Sequence, residues 1–300
     1  MKHNVLYYLA HPDKVLKSLR VKFDERYAIQ ECWNQHNMGY PLNLDDPQTL
    51  NEKIQWLKLH DRKPLYTTLV DKQAVKDWLA EHFGMQYVIP TIAKYASVDE
   101  IDFNALPQEF VLKCNHDSGS VVICSNKNRL DLDEVKNKFR RALQRNWYYN
   151  GREWCYKNIQ KRLIIQEPLL RTKQGKLPDD YKLHYINGKL EFVYVSYDRK
   201  GVNDRCVYDA DWNRMPFVWV APYQYRENLN TSDVKCPPTF DKMKEIGSKI
   251  AQMFKLVRVD FYDVDGRLYI GEITLYHGSG YDHFYPQEYD LIYGQKLKLD

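Results

Sequence analysis

Two neighbouring segments near the end of the chain, residues 257–263 and 267–275, alternate between apolar and polar positions. Alternation with a period of two is typical of β-strands that bury one face. The connection Val264-Asp265-Gly266 predicts a three-residue hairpin loop in which the glycine takes the left-handed conformation. The pattern therefore predicts a β-hairpin, and the length of its loop decides which side chains share a face.

The predicted register gives this hairpin one apolar face and one charged face. With a three-residue loop, Arg258 lies opposite Glu272 and Asp260 shares their face, whereas a two-residue loop separates Asp260 from Glu272. The predicted charged face contains Arg258, Asp260, Tyr262, Leu268, Ile270, Glu272 and Thr274. Two carboxylates on adjacent strands suit Mg²⁺, which prefers oxygen ligands. The competing interpretation is a cross-strand ion pair on a solvated face.

Helical signals dominate the first part of the chain. Residues 1–60 are predicted to be helical, and Thr49 and Glu52 have the spacing of a capping box. Asp71 is predicted to cap a further helix that carries Lys72 in its first turn. Because the helix dipole disfavours a cation there and favours an anion, Lys72 is either a phosphate ligand or a solvated side chain.

Strand and hairpin signals dominate the remainder. Residues 108–123 predict two strands joined by a polar loop, with Lys113 inside the otherwise apolar first strand. The strand predicted at 162–170 stops at Pro168, because proline cannot donate a backbone hydrogen bond. Asn187-Gly188 marks another tight hairpin. Helices that alternate with antiparallel hairpins predict an α+β or mixed α/β fold.

Composition narrows the class of protein. The net charge of +4 combines 44 basic with 40 acidic residues, so no broad basic surface for nucleic acid is expected. Six cysteines without a C-x-x-C pair are expected to be free thiols in a reducing cytoplasm. No apolar run reaches the ~20 residues of a membrane span. For the basic segment 14–22 a solvated helix is favoured over a weak contact with an anionic membrane.

The order of these pieces is similar to that of one protein family. Five stretches carry the similarity: DKQAVKDWL, LPQEFVLKCNHDSGS, REWCYKNI, DYKLHYINGK and RVDFY…GEITLYHGSG. Together they resemble the ATP-grasp superfamily, over roughly residues 20–300. Within it they resemble the TupA-like branch, which is associated with teichuronopeptide and surface-polysaccharide synthesis.

This resemblance implies an α+β fold with a nucleotide cleft. An N-terminal helical segment (1–60) would precede an ATP-grasp-like domain (61–300). In that domain a small lid subdomain (106–168) and a C-terminal subdomain (169–300), each with an antiparallel sheet, would clasp the cleft.

The resemblance also implies a set of nucleotide contacts. The implied ATP ligands are Lys72, Lys113, Gly119, Ser120, Gln166, Glu167, Leu169, Asp180 and Lys182. The first two would hold phosphates, and Gly119 and Ser120 would lie in the lid loop above them. The residues at 166–169 would receive adenine, and Asp180 the ribose.

A metal site and one catalytic residue follow from the same resemblance. Asp260 and Glu272 would bind Mg²⁺, and Arg258 would stabilise an acyl-phosphate and the tetrahedral intermediate. Thr274 departs from the family, because related ligases usually have asparagine there. A hydroxyl can still ligate Mg²⁺, so Thr274 remains a candidate ligand.

ATP-dependent carboxylate–amine ligation is the implied function. The expected partners are a uronic acid or amino-acid carboxylate and a small amine. A metal-dependent glycosyltransferase is the alternative, since two D-x-D triplets at 209–211 and 263–265 could hold a metal and a nucleotide sugar, although both fit turns. A non-catalytic binder is disfavoured because the implied nucleotide ligands are present. His116 and His277 could act as a base or contact the substrate, but a lone histidine in a loop is more often polar surface, which is the favoured interpretation.

Overall fold

Helices surround antiparallel sheets in the computed structural model, which describes residues 12–159, 162–197 and 204–300. Residues 1–11 of the predicted N-terminal helical segment lie outside the described residues. The described helices are Pro12–Phe23 (α1), Glu25–Gln35 (α2), Leu50–His60 (α3), Pro64–Val70 (α4), Ala74–Phe83 (α5), Leu132–Leu143 (α6), Tyr148–Gly151 (α7), Phe240–Ala251 (α8) and Glu288–Lys296 (α9). Single helical turns lie at Met85–Tyr87, Val98–Glu100, Lys127–Arg129, Trp154–Tyr156, Pro222–Gln224 and His277–Gly280.

The strands form a small sheet, a large sheet and a two-stranded ribbon. The small sheet contains Ala93–Tyr95 (β1), Phe110–Cys114 (β2), Val121–Cys124 (β3) and Ile164–Glu167 (β4), in the order β1-β4-β2-β3. The large sheet contains Asp180–Ile186 (β5), Lys189–Tyr197 (β6), Asp204–Tyr208 (β7), Leu256–Val264 (β9) and Arg267–Thr274 (β10), in the order β10-β9-β5-β6-β7. The ribbon pairs Val218–Val220 (β8) with His283–Tyr285 (β11). The eight pairings between these strands are antiparallel, while an isolated bridge between Val88 and Ile270 is parallel, and the α+β prediction is confirmed.

The small sheet buries one face and turns the other toward a cleft. Phe110 and Leu112 of β2 are fully buried in one cluster with Val135 and Phe139 of α6. Because side chains alternate across a strand, Lys113 projects from the opposite face. This alternation places a lysine in the cleft without disturbing the core beneath it.

The large sheet separates apolar and charged side chains in the same way. Leu183 on β5 and Val259 on β9 pair with each other and belong to the main core, with Met243 of α8 in the same cluster. On each strand, the residues next to Leu183 and Val259 face the opposite side of the sheet, because side chains alternate along a strand. On that face Lys182 lies directly opposite Asp260. The sheet therefore carries its charges on the cleft side.

The predicted register of the β9–β10 hairpin is wrong in its loop. The loop has two residues, Asp265 and Gly266, whose φ angles of 54° and 87° fit the type I′ turn that two-residue hairpins favour. A β-bulge between Ile270 and Glu272 then shifts the register by one residue. Asp260 consequently faces Glu272 directly.

The shorter loop changes the composition of the charged face. Leu268 and Ile270 were predicted to lie on that face, but Ile270 pairs with Phe261 and Leu268 with Asp263, and both are buried in the main core. Tyr269 instead pairs with Tyr262. The convergence of the two carboxylates was thus predicted correctly from a loop length that was wrong, because the bulge compensates for the shorter loop.

The N-terminal helices are tied to the rest of the chain. The predicted capping box is present at the start of α3, between Thr49 and Glu52. Leu50, Ile54 and Leu57 of α3 share the main core with the large sheet. The subdomain boundaries remain predictions. The small sheet takes in β1, which precedes the predicted lid boundary at residue 106.

A cluster of polar side chains anchors α2. Glu25, its first residue, accepts hydrogen bonds from the Tyr148 hydroxyl and from Arg62, and its carboxylate lies 3.1 Å from the Lys157 ammonium. Burial would raise the pKa of Glu25, but these three donors outweigh it and lower the pKa from 4.5 to about 2. Within the described residues, no helix is long and apolar enough to span a membrane.

We expect Glu25→Gln to destabilise the protein at pH 7 by roughly 1 kcal/mol, as loss of a partly exposed ion pair does. A depressed carboxyl pKa contributes stability above the unfolded-state value, and that contribution disappears as the pH falls from 4.5 toward 2. Urea unfolding of both proteins at pH 7 and pH 3 measures the difference. Asp45→Asn, which removes an exposed pair with Arg26, is the control and should change stability less. A deficit in Glu25→Gln that is equally large at both pH values would contradict the assignment.

Candidate functional site

A cavity of about 280 Å³ lies in the cleft between the small and the large sheet. Its wall combines the cleft faces of both sheets with the β2–β3 loop and the segment that follows β4. We call it the first cavity. The predicted site residues that line it are Lys72, Lys113, Gly119, Ser120, Glu167, Leu169, Asp180, Lys182, Asp260 and Glu272. Side chains far apart in sequence thus meet in one place.

Lys72 lies just before α5, and its prediction within the first turn of that helix is wrong by two residues. The helix begins at Ala74. The carboxylate of Asp71 accepts hydrogen bonds from the backbone N–H groups of Gln73 and Ala74, at 2.8 and 3.2 Å. The Asp71 carboxylate therefore holds the turn that leads into the helix and contains Lys72, but the N-cap position belongs to Gln73 and not, as predicted, to Asp71.

The contacts of Lys72 connect the β2–β3 loop to the large sheet. Its backbone N–H donates to the carbonyl oxygen of Asn115 at 3.0 Å. Its ammonium donates to the carbonyl oxygen of Asp117 and lies 3.9 Å from the Glu272 carboxylate. The lysine thus spans the cleft between the loop and the acidic side chains.

Lys113 projects from β2 into the first cavity and pairs with Glu167 at 2.9 Å. The other oxygen of Glu167 lies 2.5 Å from the ammonium of Lys76, on α5, which also donates to Thr91 at 2.8 Å. Burial would raise the pKa of Glu167, but the two lysines outweigh it and hold the pKa below its usual value. Glu167 is therefore an ionised carboxylate between two cations.

The β2–β3 loop closes the first cavity from above. Gly119 has a φ of 92°, and a Cβ there would meet no atom within 4 Å, so the backbone conformation rather than crowding favours glycine. The hydroxyl of Ser120 donates to the Asp117 carboxylate, and its carbonyl accepts from the Cys114 N–H at 3.0 Å. The loop is a compact turn that presents backbone toward the cavity.

The segment after β4 contributes Pro168 and Leu169 to the cavity wall, and the adenine contact of Leu169 remains a prediction. Gln166 is different. Its side chain accepts a hydrogen bond from the Tyr95 hydroxyl at 2.9 Å, and its backbone carbonyl accepts from the Ile92 N–H at 2.9 Å. Gln166 is buried within the small sheet and does not line the cavity, so the geometry does not support it as a nucleotide contact.

Four alternating charges occupy the cleft face of the large sheet. Arg258 donates to both oxygens of Asp260, at 2.6 and 2.8 Å, and Lys182 donates to Asp260 at 2.9 Å and to Asp180 at 2.5 Å. Burial would raise the pKa of Asp260, but Arg258 and Lys182 reverse this and lower it. Asp260 is only 2% exposed. This chain of ion pairs fixes the orientation of Arg258.

His277 supports Arg258 from behind. Its Nδ1 lies 2.7 Å from the guanidinium, and its Nε2 lies 3.4 Å from the Asp282 carboxylate. Burial lowers the pKa of His277, and the neighbouring Arg258 lowers it further. The prediction of surface histidines is wrong, because His277 packs against the site and His116 is buried with its Nε2 3.1 Å from the Ala142 carbonyl oxygen.

The donor set near Glu272 fits a hard cation. The Glu272 side chain is 34% exposed, and its ion-pair contacts, to Arg258 and Lys72, are long at 3.8 and 3.9 Å. One carboxylate oxygen of Asp180 is buried without a hydrogen-bond partner. Oxygen ligands of this kind suit Mg²⁺. Among the residues that the structure describes, no cluster of three or more His, Cys, Asp or Glu side chains could hold a metal, so water and phosphate oxygens would complete the shell.

A second cavity, of about 400 Å³, adjoins the first and shares Ser118 and Glu272 with it. Arg258 and Thr274 line this second cavity, and they pair with each other across the β9–β10 ladder. The predicted catalytic residue and the predicted third metal ligand therefore lie at the boundary between the two spaces.

The two D-x-D triplets are parts of turns. The Asp209 carboxylate accepts hydrogen bonds from the backbone of Asn213 at 2.8 Å and from its side chain at 3.0 Å. Asp263 accepts from the Gly266 N–H at 2.7 Å and from the Thr239 hydroxyl at 2.6 Å. The hydrogen bonds to Asp209 and Asp263 hold backbone turns, as the sequence indicated, so the triplets do not favour a glycosyltransferase.

Sequence reasoning missed two residues of the site, Lys76 and Gly271, and it placed Tyr262 on the charged face without assigning it to the site. Lys76 pairs with Glu167, and one signal for it was available, because it follows Lys72 by four residues on the buried side of α5. Tyr262 and Gly271 line the first cavity, and a Cβ on Gly271 would lie 2.8 Å from the Tyr262 ring. No sequence signal separates this glycine from an ordinary strand residue, because the bulge creates the contact.

Similar solved structures are ligases. The D-alanine–D-alanine ligase of Bacillus anthracis complexed with ATP has 13% identity, with 69% of this chain and 54% of that chain covered and a TM-score of 0.37. The D-alanine–D-alanine ligase of Helicobacter pylori has 14% identity, with 83% of this chain and 69% of that chain covered and a TM-score of 0.40. D-cycloserine synthetase DcsG has 17% identity, with 71% of this chain and 64% of that chain covered and a TM-score of 0.38. The chain spans about half the length of the first of these. TM-scores this low do not support a functional assignment.

The family comparison is decisive where these structures are not. No curated protein matches the chain. The family model described as TupA-like ATPgrasp matches residues 52–298, which include every predicted site residue from Lys72 to Thr274. Matched over most of its length by this model, the chain belongs to the TupA-like ATP-grasp family.

Proposed function

We propose that the chain is an ATP-dependent carboxylate–amine ligase that works through an acyl-phosphate and releases ADP and phosphate. One observation carries the proposal. Two lysines, Lys72 and Lys113, converge with the acidic side chains Asp260 and Glu272 on one cavity, at whose edge lies Arg258, with a side chain that is 12% exposed. A site for a phosphorylated intermediate needs this combination of cations and metal-binding oxygens.

The lysines are suited to phosphoryl transfer. An amine does not displace oxide from a carboxylate at a useful rate, whereas the phosphate of an acyl-phosphate is a good leaving group. In-line transfer of the γ-phosphoryl group needs positioning and charge neutralisation above all. We assign Lys72 and Lys113 to the phosphates of ATP, with Gly119 and Ser120 closing over them.

The remaining nucleotide contacts follow from the wall of the first cavity. We assign the backbone around Leu169 to adenine and Asp180 to the ribose, since both line the cavity on the side of the segment after β4. Lys182 has a positioning role, because its ammonium holds Asp180 and Asp260 together.

Arg258 is assigned to the acyl-phosphate and the oxyanion. Burial would lower its pKa, but Asp260 and Glu272 raise it above its usual value, so the guanidinium stays charged. Its Nε and one terminal nitrogen donate to Asp260, and the other terminal nitrogen contacts His277. A cation held in place by such contacts stabilises developing negative charge without having to reorganise.

Asp260, Glu272 and Thr274 would hold Mg²⁺. When bound there, Mg²⁺ supplies neutralisation of the ATP phosphates. Asp260 already accepts three hydrogen bonds, so Glu272, with its long ion contacts, is the more available ligand.

The substrates are proposed from the family alone. We propose that the carboxylate belongs to a uronic acid or related sugar acid and the amine to an amino acid or small amine, in the synthesis of a bacterial surface polysaccharide. The six free cysteines support a reducing cytoplasm as the site of this reaction.

Nucleotide preference tests the proposed reaction against the glycosyltransferase alternative. We expect ATP with Mg²⁺, at about a hundredfold excess over Kd, to raise the unfolding midpoint by about 5 °C. UDP with Mn²⁺ should leave the midpoint unchanged. ADP release is then measured with a panel of uronates and amines. Stabilisation by UDP with Mn²⁺ in place of ATP would overturn the proposal.

We expect Glu272→Gln to lower the rate of ADP release by ~10²–10³, a typical cost of losing one electrostatic contact in a transition state. The variant should fold, because Glu272 makes no short ion pair. Asp260→Asn should also abolish release, but it leaves Arg258 buried without its partner and so tests folding as well. Glu245→Gln, on an exposed face of α8, is the control and should remain active. Full activity of Glu272→Gln would remove this residue from the site.

We expect Lys113→Met to weaken ATP binding by about 10- to 100-fold, since a hydrogen bond to a charged group contributes roughly 1.5–3 kcal/mol. Lys76 still neutralises Glu167 in this variant, so the fold is retained. Lys76→Met is the matched control, because it removes the other partner of Glu167 but does not line the cavity. Isothermal titration with ATP and Mg²⁺ measures both. Equal losses of affinity would show that the lysines act through Glu167 and not on phosphate.

A further inference from the structure

The second cavity contains a buried carboxylate that the proposed chemistry leaves without a role. Glu153 lies on the loop after α7 and is only 9% exposed. Among the described residues, no lysine, arginine or histidine nitrogen lies within ion-pair distance of its carboxylate. Its hydrogen-bond partner is the hydroxyl of Ser279. Buried carboxylates are rarely left without a cation.

The nearest buried cation is already engaged elsewhere. Lys58 of α3 donates to the side chain of Gln55 at 2.8 Å and to the carbonyl and hydroxyl oxygens of Ser279, at 2.6 and 2.9 Å. Its ammonium also lies 4.5 Å from the centre of the Tyr281 ring. Its three N–H donors therefore have partners, and Ser279 separates it from Glu153.

The surroundings of Glu153 raise its affinity for a cation. Burial raises the pKa of this carboxyl, and Lys58 offsets only part of that effect. Glu153, Glu272 and Arg258 all line the second cavity, so Glu153 lies beside the proposed reaction centre. An incoming ammonium would provide the missing partner.

The walls of the second cavity suit a small organic body. Trp147, Tyr156 and Tyr276 line it, and the hydroxyl of Tyr276 is buried without a hydrogen-bond partner. One side is formed by Gln35 and His36, at the end of α2. These two residues precede the family match, which begins at residue 52.

We propose that the second cavity binds the amine substrate as its ammonium form, with Glu153 as the counter-ion and the end of α2 as the wall that selects among amines. The inference rests on the proposed ligase function. An amine held there lies beside Arg258 and Glu272, which also line this cavity. The substrate class is a primary amine whose remaining atoms pack against aromatic rings.

The native thiol of Cys32 allows a test that does not need turnover. Cys32 lines the second cavity, whereas Cys236 is exposed and outside it. The protein is treated with two methanethiosulfonate reagents, one carrying trimethylammonium and one carrying sulfonate, and labelling rates are measured by peptide mass spectrometry. Normalised to Cys236, the cationic reagent should label Cys32 about tenfold faster, equivalent to ~1.4 kcal/mol.

Variants identify the source of this preference. Glu153→Gln should abolish it, Glu153→Asp should keep most of it, and Asp99→Asn, which alters an exposed pair with Arg140, should leave it intact. Equal labelling by the two reagents in the wild type, or a preference that survives in Glu153→Gln, overturns the proposal. If Glu153→Gln does not fold, the wild-type and Glu153→Asp rates still decide.

The same samples separate this inference from the function on which it rests. Thermal stabilisation by ATP with Mg²⁺ is measured in parallel. If ATP stabilises the protein but Cys32 shows no preference for the cationic reagent, only the amine site is wrong. If ATP gives no stabilisation, the ligase function itself fails, whatever the labelling shows. With a productive substrate pair, Glu153→Gln should raise the KM for the amine about tenfold, and the KM for ATP serves as the reference.

Discussion

Charge pairing on the cleft face of the large sheet is the constraint on which the rest of the site depends. A lone buried ion is costly, and removing one partner of a buried pair is strongly destabilising. Arg258, Asp260, Lys182 and Asp180 satisfy this requirement as a chain of alternating charges. The pairing fixes side chains that the reaction needs in place, so the same contacts that make the charges tolerable also align them.

Complementary charges then face one another across the cleft. The β2 strand and the turn before α5 contribute the cations Lys113 and Lys72, and the large sheet contributes carboxylates. Lys72 lies 3.9 Å from Glu272, so the two sides of the cleft already attract each other. A triphosphate and a divalent cation entering together would add negative charge beside the lysines and positive charge beside the carboxylates. The electrostatics of the cleft therefore suit the pair of ligands better than either alone.

The sequence was sufficient for the fold class and for most of the first cavity, because both depend on local patterns. Apolar and polar residues alternate in β2 and β9, which places Lys113 and Asp260 on the faces that point away from the core. The order of the predicted strands and helices was then enough to predict that these two side chains share one cleft. The β-bulge at Gly271 was not predictable, since no sequence signal separates this glycine from an ordinary strand residue, and its contact with the Tyr262 ring follows from the bulge. The contacts of Gln166 and Lys76 were missed for a related reason, because each depends on which strand or helix packs beside it.

Two buried glutamates of this chain differ in the number of cations around them. This number distinguishes a carboxylate that is neutralised within the protein from one that is available to a cationic ligand. Glu167 lies between Lys113 and Lys76, so its pKa is lowered and its charge is fully used within the protein. Glu153 is buried to a similar degree, yet its hydrogen-bond partner is the hydroxyl of Ser279 and its pKa is raised. The pKa values of these two glutamates are thus shifted in opposite directions, because two lysines contact Glu167 whereas a hydroxyl contacts Glu153. Under the proposed ligase function, the ammonium group of the amine substrate supplies the cationic partner of Glu153.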